Sequence, residues 1–226
     1  MPDDIRAPFG SRNPRAWGLA AHRFLSYRPR VLERPELTAD SFEILVVREL
    51  RKAGLEVAEL SIHRRTTLSE SEPGLLLELK GVLSRGPWRR RILIACRRQQ
   101  RPIGHGEVES LEAHVSEAAA EAGVLFATPP FESDALRAAA DGSLALLRVT
   151  DGRTAFDTGG WGTPGHYPAW LPAYCAQVVI RDPRGQAHYQ LLEAGQADLI
   201  LNQLEPARGA GSSPRVAPPE EPEEDR

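Results

Sequence analysis

An α/β sandwich, with helices packed on a central sheet, is the fold class that three features of this 226-residue chain predict. An amphipathic helix opens the patterned region, two apolar strands joined by a tight turn follow, and helices then alternate with short buried strands. Hairpins make antiparallel neighbours and β-α-β crossovers make parallel ones, so the expected sheet is mixed.

The first strong element starts at Thr38, a side chain suited to capping a helix N-terminus, and runs to Ala53. Phe42, Leu45, Val46 and Leu50 recur on one helical face, and Gly54 supplies a stop. Leu55 to Ile62 is apolar at Leu55 and Val57, then at Ala58, Leu60 and Ile62, and that change of phase predicts a bulged strand. Strands over Gly74 to Val82 and Arg91 to Arg97 flank Ser84-Arg85-Gly86-Pro87, a turn sequence, which predicts a hairpin. Ile92-Leu93-Ile94-Ala95-Cys96 is apolar on both faces, as in a strand inside a sheet.

A second helix over Glu107 to Ala122 carries Val108, Leu111, Val115, Ala118 and Ala122 on its buried stripe, with Gly123 as its stop. Val124 to Ala127 is then a short buried strand. Ser133 caps a third helix ending at Gly142, and Leu144 to Val149 is the last core strand. The order is α-β-β-β-α-β-α-β.

The flanks differ in composition. Residues 1–36 are rich in Arg and Pro and form a loosely ordered arm, with a short helix near Trp17 to Leu25. Residues 37–150 form the main domain. Residues 151–205 gather Trp161, Tyr167, Trp170 and Tyr174, and strands over Tyr174 to Ile180 and His188 to Leu192 flank the turn Asp182-Pro183-Arg184-Gly185. The expectation is a small β-hairpin extension, capping the core with its aromatics. From 206 to 226 the chain is Pro, Gly, Ser and acid, a composition of disorder.

Composition excludes several classes. The chain is 41% hydrophobic and 26% charged, and no run of eighteen apolar residues suggests a membrane helix. Cys96 and Cys175 lie too far apart to suggest a disulfide framework or a zinc site, and a reducing cytoplasm is expected. His63, His105, His114, His166 and His188 show no metal-ligand spacing, and neither a phosphate loop nor a nucleophile elbow occurs. The net charge of -3 conceals a segment, Arg85 to Arg101, with arginines at 85, 89, 90, 91, 97, 98 and 101 and no acid.

Phe42-Glu43 in the first helix, Ala95-Cys96-Arg97-Arg98 in the third strand, and Gly123 to Thr128 followed by Phe131 and Ala135 occur in a recognisable order. Together they resemble the Mrr-like branch of the PD-(D/E)xK nuclease superfamily, from about Thr38 to Val149. The resemblance implies a restriction-endonuclease-like three-layer sandwich with a mixed central sheet. It also implies DNA as partner and Mg²⁺-dependent phosphodiester hydrolysis. In that family a carboxylate on the second strand and a Glu or Gln on the third hold the metal, and a Lys two residues later assists the attacking water. Mg²⁺ needs hard oxygen ligands, and positions two apart on a strand point the same way.

At those places the chain has Leu76, Ala95 and Arg97, while Glu43 keeps the acid of the first helix. Leu and Ala cannot bind magnesium, and Arg stays protonated. The expectation is a DNA-binding protein whose cleavage is weakened or lost, with no metal ligand or catalytic residue assigned. Two alternatives stay open. Glu78-Leu79-Lys80 has E-x-K spacing and with Glu43 would make a displaced Mg²⁺ site; otherwise Glu78 and Lys80 face solvent at a strand end. The third reading is a protein-interaction scaffold that uses the aromatic extension or the acidic tail. Arg97, Arg98 and Arg101 are the candidate DNA contacts, and Arg89, Arg90 and Arg91 read as a solvated hairpin edge.

Overall fold

A computed structural model describes residues 37–68, 74–182 and 184–205. The arm over 1–36 and the tail over 206–226 lie outside the described residues, as does Pro183 of the last turn. The described residues fall in one compact unit. No helix among them is long and apolar enough to cross a membrane.

Seven strands form one mixed sheet in sequence order. They are β1 (Glu56–Leu68), β2 (Gly74–Arg85), β3 (Trp88–Arg98), β4 (Ala122–Ala127), β5 (Leu144–Asp151), β6 (Tyr174–Arg181) and β7 (Ala187–Leu191). β3, β4 and β5 are parallel neighbours, and the other pairs are antiparallel. The helices are α1 (Ala39–Lys52), α2 (His105–Glu117), α3 (Ser133–Asp141), α4 (Gly152–Gly159) and α5 (Asp198–Leu204). α1 and α5 share one core with Leu77, Leu79, Ile94 and Cys96. α2 and α3 share the other with Leu93, Ala95, Leu125 and Leu146. Three layers result, as the resemblance implied.

Local chemistry sets most boundaries. Thr38 caps α1, its hydroxyl accepting the Ser41 amide at 3.2 Å. β1 carries the expected bulge, with register shifts at Ala58/Ser61 and Ile62/Arg64 and Glu59 at φ 54. It runs further than the apolar pattern suggested, because Arg64, Arg65 and Thr66 continue to pair with β2. The hairpin between β2 and β3 closes on Gly86-Pro87, with Gly86 at φ +58.

α2 ends earlier than its run of alanines suggested. Ala119 turns left-handed at φ 52, and the amide of Ala120 closes on the Val115 carbonyl at 3.0 Å. Ala122 and Gly123 therefore belong to β4. Gly123 is needed there for space, since a Cβ would sit 2.5 Å from Cδ2 of Leu144 and 2.9 Å from Cγ2 of Val115.

The C-terminal hairpin extends the sheet edge-on, pairing Leu147 with Val178 and Asp151 with Tyr174, instead of covering a face. The reason is the open edge of β5, whose backbone groups need partners. Beyond Val178 the two strands diverge, and the Gln203 amide of α5 bridges them: it accepts the Leu146 amide at 3.2 Å and donates to the Val179 carbonyl at 3.3 Å. Across the sheet, the buried Glu49 carboxylate of α1 accepts the Ala176 amide at 3.1 Å, while Lys52 and Arg48 balance its charge. β6 is thereby tied to α1 where β7 has ended.

Gly123→Ala is expected to lower stability by roughly 1–3 kcal/mol through overpacking between α2, β4 and β5. Urea denaturation measures it, and an unchanged midpoint would show that the interface has slack.

Candidate functional site

Alternation along β2 and β3 sorts their side chains between the two cores. Leu77 and Cys96 go beneath α1, so Leu76, Glu78, Ala95 and Arg97 share the α2 face. Leu76 lies opposite Arg97, and Glu78 opposite Ala95. With Glu107, Ser110, Leu111 and His114 of α2, and Leu125 of β4, these residues line one pocket. It holds only about 10 Å³ open to a water-sized sphere, room for one water at most. The positions that the resemblance assigned to a metal site are thus neighbours in space, around a nearly filled pocket.

Glu78 is the strand acid in this pocket, and it is 1% exposed. The alternative of a solvent-facing Glu78 is corrected here, because α2 covers this part of β2. A buried carboxyl must find donors. His114 Nδ1 lies 2.6 Å from its Oε1, and the Arg64 guanidinium stands 3.7 Å from Oε2. His114 Nε2 is 2.7 Å from Nη1 of Arg64. These contacts are met together when Nδ1–H donates to Glu78 and Nε2 accepts from Arg64. Arg64 also reaches Glu117 at 3.4 Å. Three elements (β1, β2 and α2) are clamped by this one network.

Glu43 comes from α1, on the other face, where its charge acts on Cys96. Lys80 is half-buried, one step along β2 from Glu78, beside Ala118 to Ala120 at the end of α2. Glu43 therefore lies on the face of the sheet opposite to the one that the Glu78 side chain faces. Among the described residues no group of three or more His, Cys, Asp or Glu could hold a metal ion. Mg²⁺ asks for near-octahedral oxygen ligands. The pocket is lined by two carboxyls, and both are engaged: Glu78 by His114 and Arg64, and Glu107 by the Gly104 amide and Arg101, with Arg97 beside them, so magnesium does not fit these residues.

The three candidate DNA arginines separate. Arg97 faces the pocket. Arg98 points the other way and donates to the Leu37 carbonyl at 3.0 Å, holding the start of α1. Arg101 sits exposed in the loop after β3, 3.5 Å from Glu107. Arg89 pairs with Glu59, and both Arg90 and Arg91 pair with Glu121. Hydrogen bonding from Arg90 holds the Glu121 carboxyl below its ordinary range. Burial first, and then Glu43, pushes the Cys96 thiol up; burial does the same to Cys175.

His114 and Arg64 were not singled out from the sequence. A signal existed in Glu78, a lone acid inside Leu75-Leu76-Leu77-Glu78-Leu79, which calls for a buried partner.

Two outcomes are expected. Glu78→Ala strands Arg64 and His114 and should cost roughly 3 kcal/mol, read by urea denaturation; Glu78→Gln should cost less. In the native protein both thiols should resist a disulfide reagent at about pH 8 and react after unfolding; rapid native labelling of Cys96 would contradict its burial.

Among known protein families, a model described as restriction endonuclease (Mrr_cat) matches residues 35–154. No curated protein and no solved structure gives a significant match.

Proposed function

Since the chain belongs to the Mrr-type restriction endonuclease family, we propose that it binds DNA at the sheet end where β3 stops, with cleavage weakened or lost. The observation that carries this reading is the pocket itself. Leu76, Ala95 and Arg97 occupy the positions at which the family pattern needs metal ligands and a lysine, while Glu78 is engaged by His114 and Arg64 and Glu107 by the Gly104 amide and Arg101. Hydrolysis by a family enzyme needs a metal to lower the pKa of water and to neutralise phosphate charge. Binding needs neither, because cationic side chains and backbone amides suffice for phosphate contacts.

Supercoiled plasmid incubated with Mg²⁺ or Mn²⁺ should remain uncut. Binding to duplex DNA should weaken steeply with salt, and weaken further in Arg97→Ala. Nicking that disappears in Glu78→Ala would replace this reading with an active, displaced site. Absence of both cleavage and salt-sensitive binding would favour the scaffold reading, for which Trp170, 71% exposed after α4, is the supporting observation.

A further inference from the structure

The same end of the sheet carries an arginine with no role so far. Arg148 of β5 lies in one cross-strand row with Arg97: Arg97 is opposite Ala127 of β4, and Ala127 is opposite Arg148. Paired residues on neighbouring strands share a face, so both arginines rise on the side of α2 and α3, separated by the methyl group of Ala127. Two strand spacings set their backbones roughly 10 Å apart. Here the parallel strands β3, β4 and β5 end, which is where open α/β sheets present their ligand-binding loops.

Arg148 differs from the half-buried Arg64 of β1. Arg64 is answered by Glu78, His114 and Glu117. Arg148 has no hydrogen bond or ion pair among the described residues, although its Nε is buried. What holds it is an aromatic face: its guanidinium carbon stands 5.1 Å from the centre of the Tyr189 ring. Tyr189 is itself fixed, its hydroxyl accepting the Phe131 amide at 3.0 Å. A guanidinium stacked in this way keeps its charge and its in-plane donors, and loses little further freedom on meeting an acceptor. A buried donor without a partner is also costly until such an acceptor arrives.

We infer that Arg148, held on Tyr189, is a phosphate-contacting residue that takes a DNA backbone phosphate alongside Arg97. The inference rests on the DNA-binding reading above and adds a residue from β5 and its support from β7. A planar guanidinium matches phosphate oxygens through its edge while its face stays on the Tyr189 ring.

The test is a salt series, between about 50 and 200 mM, of the full chain binding a labelled mixed-sequence duplex. Arg148→Met removes the charge and leaves an apolar side chain beside Tyr189. It should bind several-fold more weakly and reduce the salt slope by about 1, while still unfolding in one cooperative transition. Arg148→Lys should restore most of the slope, and Arg148→Gln, which also removes the charge, serves as the test if the methionine variant does not fold. Tyr189→Leu should weaken binding in the same direction. Arg148→Met matching the wild type in affinity and slope, while Arg97→Ala still weakens binding, overturns this inference and leaves the DNA-binding reading intact. No salt-sensitive binding by the wild-type chain overturns both.

Discussion

Burial of β2 on both faces is the constraint on which the rest of this structure turns. A strand inside a three-layer sandwich has no solvent side, so each residue must be apolar or matched by a partner. Leu75, Leu77 and Leu79 satisfy the first condition beneath α1. Glu78 must satisfy the second. Its row fixes where help can come from, because Arg64 is opposite it on β1 and Ala95 on β3. Ala95 offers nothing, so donors come from the edge strand and from the helix above. That requirement places His114 over the sheet and recruits Arg64 from β1, although neither residue belongs to the apolar core.

The same constraint explains why the pocket is so nearly full. In the family pattern this face needs acids that remain open to a cation and to water. Here leucine and alanine fill the space, and the Glu78 carboxyl turns inward to a histidine and an arginine. Charge around Glu78 is thus balanced within the protein, while Arg148, further along the same face, is held by the Tyr189 ring. The strands here hold their positions through packing, with Leu76 and Ala95 filling this part of the α2 face.

Much of the fold was legible because the central elements obey simple periods. The stripe of Phe42, Leu45, Val46 and Leu50 and the apolar run Ile92 to Cys96 each permit one reading. Three things were hidden for physical reasons. α4 and α5 are short (Gly152–Gly159 and Asp198–Leu204), and their formation leans on tertiary contacts such as Gln203 with β5 and β6. The end of α2 was overextended because Ala118 to Ala120 favour helix, and the turn at Ala119 is imposed by packing of Gly123 under Leu144 and Val115. The far half of β1 resembled a loop because its Arg and Thr residues pair by backbone. Leu76, Ala95 and Arg97, which the resemblance pointed to, line one pocket, but no local rule links Glu78 to His114, thirty-six positions away.

Pairing of β6 with β5 sets apart two boundaries that are easily confused. The stretch recognisable by descent stops at residue 154, just after β5. The hydrogen-bonded sheet continues through β6 and β7, and Glu49 and Gln203 fasten that continuation to α1 and β5. A fragment trimmed to the recognisable stretch would bare the outer edge of β5 from Leu147 to Asp151, a row of amides and carbonyls ready to pair with another molecule. The heritable module is therefore smaller than the cooperative one, and expression of the former alone would select for self-association.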